Sequence, residues 1–215
     1  MKKIIVIIAV FITLSLKAQV NISPLYVYDK VEPFKPEVLA QFKNSIMAFF
    51  YRKVDEDKLD GFKKAVQVWD LTKIEFVPMD KYDEYMEKPN YSYFAPTVFT
   101  TTDGSPDIVY GLWLNNGTEK RYKIARIPLE IADESIEVVK NNRKESKSKD
   151  DEQANFMQLF YTKLIFKNFM PGDVKIYLVQ MNTYLKNGGT KKLYDCMYSN
   201  QSVLLSINNL GHFLF

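Results

Sequence analysis

Two short apolar segments, separated by an amphipathic one, restrict the possible folds of this chain more than any other feature. Residues 45–51 form a nearly continuous apolar run between Asn44 and Arg52, which is typical of a buried central strand. A second short strand is predicted at residues 73–78. Between them, apolar residues recur at helical spacing at Leu59, Phe62, Val66 and Trp69. Because a helical crossover joins parallel strands, we predict that the two strands are parallel neighbours.

Helices are predicted to alternate with these two strands. The helix near residues 56–70 should cross one face of the sheet by a right-handed connection and bury Trp69 against it. Shorter helices are expected at residues 36–42 and 80–87, from the spacing of their apolar side chains. The front of the chain therefore indicates a βαβα unit.

An antiparallel meander is predicted to follow. Strands are expected at residues 91–101, 108–114 and 122–131. The last two are separated by Asn116-Gly117, a sequence typical of hairpin turns. The predicted fold class is therefore α/β (α+β), with a mixed sheet that begins with the βαβα unit and continues as a meander.

The second half of the chain predicts a C-terminal helix pair, covering one face of the sheet. Apolar residues occupy a wide helical arc at 156–166 and a regular stripe at 174–185, with Pro171-Gly172-Asp173 between the two helices. Late strands are expected at residues 193–198 and 202–207.

Residues 133–153 are rich in charge, and their core-forming side chains end at Val139. We therefore expect a mobile surface loop or a fraying helix there, and assign the segment as a charged loop or linker. The predicted organisation is a signal peptide, a mixed α/β sheet region, this charged segment, and a helical hairpin with late strands packed on the same domain. The corresponding bounds are 1–18, 19–132, 133–153 and 154–215.

The N-terminus has the pattern of a secretory signal peptide. Two lysines precede an apolar run at residues 4–12, and the predicted cleavage site lies between Ala18 and Gln19. The apolar run is shorter than the roughly 20 residues that span a bilayer. We therefore expect export to the periplasm, the cell envelope or the extracellular space, with no transmembrane segment in the mature chain.

The charge balance argues against nucleic-acid binding. The chain has 29 basic and 26 acidic residues, and three of the basic residues lie in the predicted signal peptide, which contains no acidic residue. The remaining chain therefore has a net charge of zero. Nucleic-acid binding usually requires a concentrated positive field, so we expect no nucleic-acid partner.

The residues available for catalysis are few. Cys196 is the only cysteine, so no internal disulfide is possible, and His212 is the only histidine. Neither a phosphate-binding glycine loop nor a nucleophile elbow occurs. We therefore predict no catalytic, cofactor-binding or metal-binding residues and no cofactor. Carboxylates are the one remaining source of acid–base chemistry.

Aromatic residues supply the only candidate binding surface. Tyr91, Tyr93, Tyr110 and Trp113 lie in two consecutive predicted strands. Because side chains alternate between the faces of a strand, part of this set should be core and part could form a platform. Such a platform would suit a protein, peptide or glycan partner. The sequence indicates no oligomeric state.

Three features resemble uncharacterised secreted proteins of Bacteroidota. They are the N-terminal signal with its Lys-Ala-Gln end, the segment from Ala65 to Phe76, and the helix from Met170 to Leu185. This resemblance brings no known activity. We therefore expect an exported, non-enzymatic binding or interaction module of the cell envelope. The alternative is a carboxylate-dependent hydrolase that acts outside the cytoplasm and needs two acids in one pocket.

Overall fold

The computed structural model describes residues 34–100, 106–115 and 121–188. The strands are β1 (Ile46–Tyr51), β2 (Lys73–Pro78), β3 (Tyr91–Thr100), β4 (Pro106–Asn115) and β5 (Arg121–Pro128). The α-helices are α1 (Pro36–Lys43), α2 (Leu59–Ala65), α3 (Tyr82–Met86), α4 (Asp133–Glu145), α5 (Lys149–Thr162) and α6 (Pro171–Lys186). Short 3-10 helices at Lys53–Lys58, Val66–Val68 and Met79–Lys81 flank α2 and precede α3.

One mixed sheet of five strands organises the fold, in the order β2-β1-β3-β4-β5. The interior strand β1 pairs in parallel with both β2 and β3, and β3, β4 and β5 form an antiparallel meander. The predicted α/β (α+β) class is therefore confirmed, and the parallel neighbours predicted at 45–51 and 73–78 are β1 and β2. The apolar run of β1 reflects its position, because a strand with neighbours on both sides and cover on both faces has little contact with water.

The two crossovers place helices on opposite faces of the sheet. The connection from β1 to β2 contains α2, whereas the connection from β2 to β3 contains α3 and runs in the opposite direction past β1. Crossovers of the same hand that run in opposite directions must use opposite faces. We call the face that includes Met47 and Phe49 the major face, and the face that includes Ala48 and Phe50 the minor face.

The major face carries the main hydrophobic core. Side chains of α1, α2, α5 and α6 pack there against alternate residues of the strands. Phe49 lies at the centre, with its ring 4.8 Å from that of Phe76 and 5.3 Å from that of Phe94. Trp69 is 6 % exposed, its indole N–H donates to the hydroxyl of Thr72 at 2.9 Å, and its burial confirms the predicted orientation of the α2 region.

The charged segment at 133–153 is largely helical, which corrects the assignment as a loop or linker and agrees with the helical alternative. It forms α4 and the first turn of α5. The spacing of apolar residues does not indicate these helical turns, because local polar interactions support them. Lys140 pairs with Glu137 at 2.9 Å. The Ser148 hydroxyl caps α5 by accepting from the amide of Asp151 at 3.1 Å. Ser135 is buried in α4, and its hydroxyl accepts from the Ile165 amide.

The C-terminal helices pack differently from a simple hairpin. The main helical contact of α6 is with α2, whereas α5 packs against α4 and against the 3-10 helix Lys53–Lys58. In the part of the chain that the structure describes, no helix is both long and apolar enough to cross a membrane. The predicted cleavage site at Ala18 and Gln19, the late strands at 193–198 and 202–207, Cys196 and His212 lie outside the described residues.

Candidate functional site

Three of the four predicted surface aromatics lie on the minor face. Tyr91 and Tyr93 belong to β3, and Trp113 lies opposite Tyr93 in the antiparallel pair with β4. Tyr91 and Trp113 are half-buried, whereas Tyr93 is 1 % exposed and belongs to the hydrophobic cluster beneath α3. Only Tyr91 and Trp113 therefore present part of their rings at the surface.

The prediction that Tyr110 belongs to the aromatic surface is wrong, because Tyr110 lies on the major face and is fully buried. Tyr110 and Trp113 are three positions apart, and residues an odd number apart on a strand face opposite sides. The Tyr110 ring stacks on Phe169 with centroids 4.2 Å apart. Burial raises the pKa of its phenol well above the usual value, so Tyr110 is a neutral core residue.

A carboxylate that sequence analysis did not single out joins β2 to this surface. The Glu75 carboxylate accepts a short hydrogen bond from the hydroxyl of Tyr85 in α3 and a second one, at 2.9 Å, from Tyr91. The hydrogen bond to Glu75, followed by burial, raises the pKa of Tyr85 to about 12. Burial and the same carboxylate raise the pKa of Tyr91. Both tyrosines are therefore neutral donors at neutral pH.

Lys88 lies over these tyrosines. Its ammonium nitrogen is 3.5 Å from the ring centroid of Tyr85 and 5.7 Å from that of Tyr91, and it pairs with Glu84 at 3.1 Å. The side-chain amide of Asn115, at the end of β4, donates to the carbonyl oxygens of Met86, at 2.8 Å, and Lys88. These contacts hold α3 and the following turn against the sheet.

Beyond α3, the indole of Trp113 reaches back along β4 to Gly111. A Cβ atom added to Gly111 would overlap Nε1 of the indole and lie 3.0 Å from Cε2, so the indole covers the glycine two residues before it. Lys123 in β5 lies opposite Trp113, and its ammonium nitrogen lies over the indole, 5.5 Å from the ring centroid. Burial, and then the neighbouring charge of Arg126, lower the pKa of Lys123.

The carboxyl end of β1 is filled by a buried ion pair. Ligands of open α/β sheets commonly bind where crossovers leave in opposite directions, which in this sheet is beside β1. Arg52 occupies that position and binds the Asp55 carboxylate through two nitrogens, at 2.7 and 3.1 Å. It also donates to the carbonyl oxygens of Phe160 and Leu164, each at 2.9 Å. Because its guanidinium makes all these internal contacts, this end of the sheet has a structural role.

Two acids lie at the minor-face cluster of Tyr85, Tyr91 and Lys88. Both oxygens of Glu75 accept from tyrosines, and Glu84 is paired with Lys88. In those residues, no group of three or more His, Cys, Asp or Glu side chains is placed to hold a metal ion. The fold and this surface together define a mixed α/β protein with an aromatic and basic sheet face. In comparisons with known proteins, no family model, no curated protein and no solved structure matches the chain.

Proposed function

We propose that this protein is an exported, non-enzymatic binding module of the cell envelope that contacts its partner through the minor face. The signal-peptide pattern at the N-terminus supports export. The observation that carries the binding role is the half-buried Tyr91 and Trp113 on one rigid sheet face. Aromatic residues that keep one face accessible bury much area when a partner binds and lose little conformational entropy.

The hydrogen-bonded group of Glu75, Tyr85 and Tyr91 supports this binding role, because it fixes the shape of the minor face before a partner binds. Glu75, Tyr85 and Tyr91 come from β2, α3 and β3, and their hydrogen bonds connect these three elements. A preorganised surface loses less free energy on binding than one that must first become ordered.

A carboxylate-dependent hydrolase is the weaker proposal. Such an enzyme needs two carboxyl groups facing one cleft, one as acid and one as base or nucleophile. Glu75 has both oxygens bound by tyrosines, and Asp55 is buried in its pair with Arg52. Within the described residues, these two groups lie on different sides of the sheet and share no cleft.

Site-specific photo-crosslinking in intact cells tests the proposal. A photoreactive phenylalanine analogue replaces Tyr91 on the minor face, and the matched control replaces Ile136, which is 37 % exposed on α4. We expect a crosslinked adduct in the envelope fraction from position 91 and none from position 136. N-terminal sequencing of the mature protein should begin at Gln19. Equal adducts from both positions, or a protein retained in the cytoplasm, would contradict the proposal.

A further inference from the structure

The outer edge of β2 is a sheet edge where a further strand fits. β2 pairs in parallel with β1, and no other described strand lies beyond it. Ile74 and Phe76 belong to the major face, where both are half-buried at the margin of the core. Because the outward N–H and C=O groups of an edge strand can pair with another strand, such an edge attracts one.

The end of α6 lies beside the beginning of β2. Asn182, in the second half of α6, donates to the carbonyl oxygen of Val68 at 3.0 Å, and Lys186 at the end of the helix pairs with the Asp70 carboxylate. Gly188, with a φ of 73°, has the left-handed conformation that commonly ends a helix. The chain therefore leaves α6 close to Asp70, which is three residues before β2 begins.

The sequence after Gly188 contains a segment with the length and pattern of a strand. Residues 193–198, Leu-Tyr-Asp-Cys-Met-Tyr, are as many as the six residues of β2. In a strand, alternation would place Tyr194, Cys196 and Tyr198 on one face and Asp195 on the other. The first set is apolar enough to cover the half-buried margin of the major face.

We propose that residues 193–198 form a sixth strand of the sheet, parallel to β2 along its outer edge. The inference goes beyond the binding role of the minor face and does not depend on it. The seven residues from Gly188 to Asp195 can span roughly 23–25 Å, whereas Lys73 lies within roughly 11 Å of Asp70 along the chain. The connection is therefore long enough to reach the edge of β2.

The handedness of the connection supports the parallel direction. β5 runs parallel to β2, because β4 reverses the direction of β3 and β5 reverses it again. Side chains of α5 and α6, which follow β5, pack on the major face, as does α2 between β1 and β2. Both connections cross that face in the same direction, towards the β2 edge. A parallel strand beyond β2 therefore gives the connection from β5 the same hand as the one from β1, and such crossovers are almost always right-handed.

Charge favours one register of the added strand. With Cys196 beside Ile74, Asp195 lies beside Lys73, and the two form an opposite-charge pair on the minor face. A shift by two residues would place Asp195 beside Glu75, whose carboxylate already accepts from two tyrosines. Because adjacent carboxylates repel each other, we assign Cys196 to the position beside Ile74.

Disulfide crosslinking of the full chain tests the proposal, because Cys196 is the only cysteine. Ile74→Cys adds a thiol on the same face of the neighbouring strand, and the matched control Lys73→Cys adds one on the opposite face. Oxidation of the Ile74→Cys variant should give an intramolecular disulfide, at least about tenfold faster than in Lys73→Cys, since the thiols of the control point to opposite faces.

Hydrogen exchange of the wild-type chain is a second measurement, which stands even if Ile74→Cys fails to fold. Part of the β2 amides point away from β1, and these should exchange at least about tenfold more slowly than in an unpaired chain. Cys196→Asp places a charge against the apolar margin and should abolish this slowing, whereas Cys196→Val should retain it.

The outcomes identify what covers the edge. Equal oxidation rates at positions 73 and 74 would overturn the proposed face of Cys196 and with it the added strand. Disulfide-linked dimers would assign the edge to a second copy of the chain, and slowed β2 amides without any crosslink would assign it to another segment, so either result overturns the proposal. Outward β2 amides that exchange as fast as in an unpaired chain would also overturn it. The crosslinking from position 91 decides the minor-face binding role separately.

Discussion

Replacing Arg52 by methionine would show how much the buried ion pair contributes to this fold. Arg52 is 1 % exposed and the side chain of Asp55 is 3 % exposed, so neither charge is hydrated. The guanidinium also lies 4.6 Å from the ring centroid of Phe166 and binds two carbonyls near the end of α5. The substitution leaves the carboxylate and both carbonyl oxygens without these donors.

The expected loss follows from what remains buried. Removing one partner of a buried ion pair costs about 3–5 kcal/mol, because the other charge is left uncompensated. A domain of ordinary stability has a free energy of unfolding of about 5–15 kcal/mol, so the variant should be marginal. With a urea m-value of about 2 kcal/mol/M, the unfolding midpoint should fall by roughly 1.5–2.5 M.

Urea unfolding followed by circular dichroism measures this loss, and a double-mutant cycle identifies its cause. Asp55→Asn removes the other charge, and the double variant should be no less stable than the worse single variant. Lys63→Met breaks an exposed ion pair of the same sequence spacing, with Asp60 at 3.7 Å, and should leave the midpoint unchanged. Additive losses in the double variant, or a loss below about 1 kcal/mol in Arg52→Met, would refute the reasoning.

Three further predictions concern other contacts. Trp69→Ala should lower the free energy of unfolding by about 3–5 kcal/mol in thermal or urea unfolding, and an unchanged melting temperature would show that the indole is not buried. The pKa of Tyr85 is raised from 10.0 to about 12 in the folded protein. The stabilisation that its hydroxyl gives the folded state is therefore complete below pH 10 and is lost as the pH rises to about 12. Urea midpoints of Tyr85→Phe should therefore fall less than those of wild type over that range, and parallel curves would contradict the role of the hydrogen bond to Glu75. Ser148→Ala should cost about 1 kcal/mol through loss of the α5 cap, whereas Ser148→Asp should retain stability.

The sheet and the helices that cover it could be predicted because their side chains follow simple periods. The uninterrupted apolar run of β1 indicates a strand with cover on both faces, and the stripe through Phe62 and Trp69 indicates the face of the α2 region that packs. The spacing of apolar side chains does not predict α4 in the same way. Its polar surface differs little from that of a loop, and the capping and ion-pair contacts that support it depend on a helix already being formed.

Arg52 shows a different limit of sequence reasoning. A basic residue after an apolar run indicates the end of a strand, and β1 does end at Tyr51. The same pattern suggests an exposed side chain, since arginine is almost never fully buried unless it is paired. Its partners are Asp55, three residues away, and two carbonyls more than a hundred residues away. Only the folded chain brings those carbonyls to the end of β1.

The contact of Lys123 with Trp113 depends on a single irregularity of the sheet that periodicity cannot indicate. Between Leu112 and Trp113 the partner on β5 changes from Ala125 to Lys123, so Ile124 is the extra residue of a β-bulge. Without the bulge, Ile124 would lie opposite Trp113 on the minor face. With it, Ile124 is fully buried in the core of the major face and Lys123 takes its place beside the indole. A one-residue change of register thus removes an apolar side chain from the minor face and places a cation there.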